Sequence, residues 1–201
     1  MKKILPLFSY LFHPIFMPLL AVSFYLFAID NYFVLEQKLL VLVQVSIIMV
    51  FIPLCFFFLL KTLGKVNSIM LSDASQRRIP LFIQALLIIT LITKSLTQEV
   101  VPELFYFFLG ALASTVAAFA LLFAGIKASL HMVGISALTV FVIGLNMHYQ
   151  YNAIGPIAFL ILMNGTVAAS RLEMQAHTTK ELLIGFLAGV LPQLGCLYFW
   201  L

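Results

Sequence analysis

The chain has 201 residues, 64% of them hydrophobic and 9% charged, with a mean hydropathy of +1.15. Soluble domains run about 45–50% apolar and about 25% charged, so this chain cannot cover a globule with polar surface. A soluble enzyme, a disordered tail and a disulfide scaffold are excluded. The formal charge of +4 and pI near 9.1 point to lysines and arginines facing anionic lipid headgroups rather than nucleic acid. Cys55 and Cys196 both lie in apolar runs, too few for a disulfide, zinc or iron–sulfur framework.

A helix crosses the hydrocarbon core with about 20 residues, and the charges cut the sequence into runs of that order. Ile4 to Ile29 carries none. It is expected as a retained first span, too long for a signal peptide and without a small-residue cleavage site. His13-Pro14 and Pro18 should kink it, because each proline removes a backbone hydrogen bond. Leu39 to Leu60 forms a second span between Lys38 and Lys61, followed by the most polar stretch, Lys61 to Pro80. Leu81 to Leu96 is a short third span whose Lys94 snorkels to the interface, and Leu104 to Ile126 a fourth. Ala128 to Ser170 is uncharged and holds two helices joined at the polar Asn146 to Asn152. The last span begins after Thr178. The predicted architecture is all-α, a polytopic transmembrane bundle of six to seven spans forming one domain over residues 1–201. The period-two alternation of a membrane barrel is absent. Gly110-Ala-Leu-Ala113 and Gly185-x3-Gly189 offer small-residue faces for close helix contacts.

With seven crossings, one face holds Lys2, Lys3, Lys61, Lys65, Arg77, Arg78, Lys127, Arg171 and Lys180, the other only Lys38 and Lys94. By the positive-inside rule the rich face is cytoplasmic. Three polar clusters share it, each where a helix is expected to begin: Asp73 to Pro80, Lys127 to His131, and Ser170 to Glu181. Helix N-termini favour anions, arginine matches a phosphoryl group with its fork, and histidine works as nucleophile or acid near neutral pH. Plainer readings stand beside these. Arg77 and Arg78 also suit headgroup anchoring, Ser129 suits a helix cap, and Thr178 with Glu181 makes an S/T-x-x-E capping box. That box puts Glu181 one turn from His177, so one carboxylate can cap the helix and hold the imidazole. His13 reads as a packed or backbone-bonded histidine, with facing the site as the other option. His148 is expected in a turn on the opposite face.

Ser170-Arg171, five residues, His177, three residues, Glu181 resembles the third signature of the type 2 phosphatidic acid phosphatase superfamily, Ser-Arg-x5-His-x3-Asp. Ser129-Leu130-His131 resembles its second, Pro-Ser-Gly-His, and Arg77/Arg78-Ile79-Pro80 the Arg-Pro end of its first. The chain is also similar to small bacterial membrane proteins grouped there. It departs from the pattern in lacking the first-motif lysine, with Met70 or Leu71 in its place. It also has Ala128 and Leu130 for the second motif's proline and glycine, and Glu181 for the aspartate.

The resemblance implies metal-free phosphoryl transfer in the inner membrane of a bacterium, without cofactor. His177 would be the nucleophile and Glu181 its orienting carboxylate. His131 would protonate the leaving oxygen and then serve as base for water. Arg171, Arg77 or Arg78, and Ser129 would bind the phosphoryl oxygens, with Lys127 as a candidate for the missing lysine. The expected substrate is a membrane lipid phosphate or a polyprenyl phosphate or diphosphate. The competing expectation is a catalytically degenerate relative that binds or moves anionic lipids.

Overall fold

A computed structural model describes residues 4–29, 32–68 and 73–201. Lys2, Lys3, Met70 and Leu71, which entered the charge count and the motif comparison, lie outside the described residues. The elements are α1 (Leu5–Leu11), a 3-10 turn (Pro14–Phe16), α2 (Met17–Ala28), α3 (Leu35–Ser46), a π-helical turn (Ile47–Phe51) and α4 (Ile52–Thr62). A second 3-10 turn (Ser75–Arg77) leads into α5 (Arg78–Lys94), followed by α6 (Pro102–Phe123), α7 (Leu130–Tyr149), α8 (Ile154–Glu173) and α9 (Thr179–Leu197). No strand occurs among the described residues. Among the described residues, seven segments are long and apolar enough to cross a membrane: Leu5–Ala28, Leu35–Thr62, Ser75–Lys94 and the four helices α6 to α9.

Prolines set the irregularities. At Pro14 the helix breaks: His13 is extended (φ −65°, ψ 137°), and its Nδ1 accepts from Ile15 N–H at 3.3 Å to start the 3-10 turn. Pro18 causes no second break, because it falls in the first turn of α2 where a missing N–H costs nothing. Before Pro53 the chain makes its π turn, the response of a helix to a proline ring that displaces the carbonyl four residues earlier. The second span starts at Leu35, not Leu39. Glu36 suits the positive helix end, Gln37 bonds back to Val34 N–H, and Lys38 lies 5.6 Å from the Phe27 ring centroid. A helix can therefore carry its charges in a first turn beyond the hydrocarbon.

The central helix is α7, with 72% of its span buried and Ile135, Leu138, Phe141 and Leu145 in the core. It packs on α9 through glycine. A Cβ on Gly185 would stand 2.5 Å from the Ser129 carbonyl oxygen, and one on Gly189 would run into the Val133 carbonyl and the Ser136 hydroxyl. The Gly185-x3-Gly189 face is thus a contact within the chain, of the small-residue kind common between membrane helices. At the end of the bundle away from the basic clusters, buried Glu103 accepts from the Tyr25 hydroxyl at 3.0 Å and the Tyr149 hydroxyl at 2.5 Å. His148 Nε2 lies 3.9 Å from the same carboxylate, within the last turn of α7 and not in a loop.

Candidate functional site

The three basic clusters converge at one end of the bundle, joined by the end of α1. The loop between α8 and α9 sets the pattern. Glu181, in the first turn of α9, accepts through Oε2 from the Thr178 N–H at 3.0 Å and from His177 Nδ1 at 3.0 Å, while Thr178 Oγ1 accepts from the Glu181 N–H at 3.3 Å. One carboxylate thus closes the capping box and fixes the imidazole. Because a carboxylate only accepts, Nδ1 carries the proton and the Nε2 lone pair is left for chemistry. That nitrogen faces Arg77, whose Nη2 lies 3.4 Å away and whose Nη1 donates to the Ala128 carbonyl at 2.8 Å.

Of the two adjacent arginines, Arg77 is 2% exposed and belongs to the site. The 3-10 turn before α5 sends Arg78 outward, its guanidinium 5.1 Å from the Phe123 ring centroid. Arg171, 1% exposed, comes from the last turn of α8. Burial, followed by the charge of Arg77, holds the His177 imidazole down to about 4. The Glu181 bond opposes this, and Arg171 and Lys127 add to it. His177 is therefore neutral at physiological pH.

On the other side, His131 Nε2 donates to the Ser9 carbonyl at 3.0 Å, which leaves Nδ1 as the nitrogen that exchanges a proton. The Ser9 hydroxyl bonds Ser170 Oγ at 2.6 Å, joining α1 to the residue beside Arg171. Ser9 had no place among the sequence candidates, since a single serine inside an apolar run carries no signal of its own. His13, the undecided histidine, stands edge-on to His131 with ring centroids 5.2 Å apart.

Ser129 occupies the N-cap position of α7 but does not cap it. Its N–H donates to the Glu181 carbonyl at 3.1 Å, and its buried hydroxyl has no hydrogen-bond partner. The cap expectation is corrected accordingly: the close α7–α9 contact turns this residue toward α9. Lys127 Nζ donates to the Ala176 carbonyl at 3.0 Å, bracing the loop that carries His177. Gly125, at φ +74°, provides the left-handed turn that brings the chain from α6 back to Lys127.

Beside the polar cluster lies a cavity of about 200 Å³. His13, Pro80 and Leu130 line its upper part, and Met49, Ile88 and Phe107 its depth. Among the described residues, no group of three His, Cys, Asp or Glu side chains is placed to hold a metal ion.

No family model, curated protein or solved structure matches the chain.

Proposed function

We propose that the protein is a lipid-phosphate phosphohydrolase that works through a phosphohistidine. The observation that carries this reading is the His177 Nε2 lone pair, oriented by Glu181 and facing the Arg77 guanidinium. A nucleophile and an anion receptor meet at one point. A protein that only bound anions would need the arginines but not the oriented imidazole. The resemblance to the type 2 phosphatidic acid phosphatases, carried by the 170–181 spacing, supports the same chemistry, and the adjoining apolar cavity supports a lipid. The excess of lysine and arginine at this end of the bundle supports a cytoplasmic orientation, and the resemblance supports a bacterial inner membrane.

A bound phosphoryl group takes the place of His177 on Arg77, so that its oxygens accept from Arg77, Arg171 and Ser129. His177 Nε2 attacks phosphorus in line and a P–N bond forms. The P–O ester bond breaks toward the leaving oxygen, which takes a proton that His131 Nδ1 acquires once the negatively charged phosphoryl group is bound beside it. The Ser9 carbonyl does for His131 what Glu181 does for His177: it fixes which nitrogen reacts. Neutral His131 then removes a proton from water as the water attacks phosphorus, the P–N bond breaks, and inorganic phosphate leaves. The arginines stabilise the charge on the transferring group.

The test is phosphate release from a panel of lipid phosphates by purified protein in detergent without added metal, beside His177→Ala. Release by the parent and not the variant, with an acid-labile, base-stable phosphoprotein trapped by rapid quench, is the expected result. Equal release by both, or none by a folded parent, would refute the reading. The second outcome would favour the anionic-lipid binder.

A further inference from the structure

Most hydroxyls within the spans satisfy themselves. Ser46, Thr90, Thr93, Thr115, Thr139 and Thr166 each donate to the carbonyl four residues earlier. Ser114 of α6 does not. It is 1% exposed, its hydroxyl has no hydrogen-bond partner, and it lines the cavity beside the polar cluster. Gln84 of α5 lines the same cavity, and its amide makes no hydrogen bond to any described residue. Thr115 lines it too. The Thr115 proton goes to Ala111, which leaves its oxygen able to accept. Apart from His13 in the upper part, the remaining walls are apolar, with Met17, Pro53, Phe57 and Ile88 among them. A plain hydrocarbon filling this space would seal a hydroxyl and an amide away from any partner, which is unfavourable in a bilayer interior.

The depth of these groups is set by the helices. Arg78 over Phe123 brings the start of α5 level with the end of α6. Counted from those ends at about 1.5 Å per residue, Gln84 and Ser114 lie roughly 9–14 Å below the plane of the cluster.

We propose that the cavity is a chain-binding subsite for an amphiphile with an oxygen function on its hydrocarbon chain, roughly 9–14 Å beyond an anionic head, recognised by Ser114 and Gln84. The phosphate reading of the polar cluster enters only in placing the head. At about 1.2 Å per bond in an extended chain, a hydroxyl on C3 of the acyl group of a monoacylglycerol phosphate lies about 11 Å from phosphorus. Such a hydroxyl donates to one side chain and accepts from the other.

The test uses His177→Ala protein in detergent, so that no lipid is consumed. It is titrated with monoacylglycerol phosphates of equal chain length, one plain and one 3-hydroxylated, and binding is followed by native mass spectrometry. The hydroxylated lipid is expected to bind about 3- to 10-fold tighter, the worth of a net hydrogen bond. Ser114→Ala or Gln84→Leu in the same background should bring the two lipids within twofold by weakening the hydroxylated one alone. Equal affinity of the starting protein for both lipids, binding of neither, or a preference that survives both substitutions would overturn the assignment. A preference found in a protein whose wild type releases no phosphate would leave the subsite standing and remove the hydrolase reading.

Discussion

Replacing Glu181 by glutamine separates two duties that one carboxylate performs. Oε2 accepts from the Thr178 N–H and from His177 Nδ1, both at 3.0 Å. A glutamine at this position keeps an acceptor for the backbone, since S/T-x-x-Q closes a capping box as S/T-x-x-E does. It loses the negative charge that supports the imidazole as charge develops on it during attack. Thr178→Ala does the reverse: it removes the Thr178 Oγ1 acceptor for the Glu181 N–H and leaves the carboxylate on His177. Loss of the cap costs about 1 kcal/mol, roughly 2–4 °C in melting temperature for a chain of this size. Loss of the orienting charge is expected to lower phosphate release about 10²- to 10⁴-fold, the range associated with positioned acid–base groups. Glu181→Gln should therefore melt within a few degrees of the parent with turnover greatly reduced. Thr178→Ala should melt lower with turnover within about threefold, and Glu181→Ala should show both defects. The assay is a thermal melt in detergent beside phosphate release well below the melting temperature. If Glu181→Gln keeps more than a third of parental turnover, or if Thr178→Ala loses as much as it does, the carboxylate is only a cap and the nucleophile argument fails.

Arg77→Ala should reduce phosphate release at least a hundredfold through loss of transition-state charge stabilisation, whereas Arg78→Ala, which loses only an exposed contact with Phe123, should stay within about threefold. Because burial and Arg77 hold His177 down to about 4, its nucleophilic form persists at acid pH, and the acid limb of the rate–pH profile should lie well below the usual histidine value near 6.5. A limb at 6.5 or above would contradict the burial argument. Gly189→Leu should separate α7 from α9, destabilising the fold by about 1–3 kcal/mol or preventing folding, seen as a lower melting temperature with activity lost in parallel. Glu103→Gln, at the other end of the bundle, should weaken two tyrosine hydrogen bonds and lower the melting temperature, while phosphate release from the folded protein stays near parental.

The spans were readable because lipid solvation demands long apolar runs, and charges mark where those runs stop. The start of the second helix was not readable from hydropathy: Glu36 and Lys38 look like loop residues, but a helix tolerates them in a turn that lies in the headgroups. Proline announced the break at His13. The π turn before Pro53 depends on how the helix accommodates the ring, which a pattern does not encode. Within the site, the i, i+4 spacing of His177 and Glu181 states their contact outright. The choice between Arg77 and Arg78 turns on the phase of a short 3-10 turn, set by packing and invisible in two adjacent arginines. Ser9 meets Ser170 across 161 positions, and nothing local to either serine foretells it. Ser129 looked like a cap because of its place, yet the approach of Gly185 draws its backbone to α9.

The sharing of a single oxygen by Thr178 and His177 also governs which changes in chain length the protein can absorb. An α-helix turns about 100° per residue, so one residue inserted between His177 and Glu181 would swing the carboxylate away from imidazole and helix start together, and no rotamer would restore either. The segment before His177 is held as firmly, because the Ala176 N–H donates to the Arg171 carbonyl at 3.1 Å, its carbonyl accepts from Lys127 at 3.0 Å, and Gln175 turns the chain at φ +51°. The four-residue interval and the turn leading into it are therefore both fixed gauges.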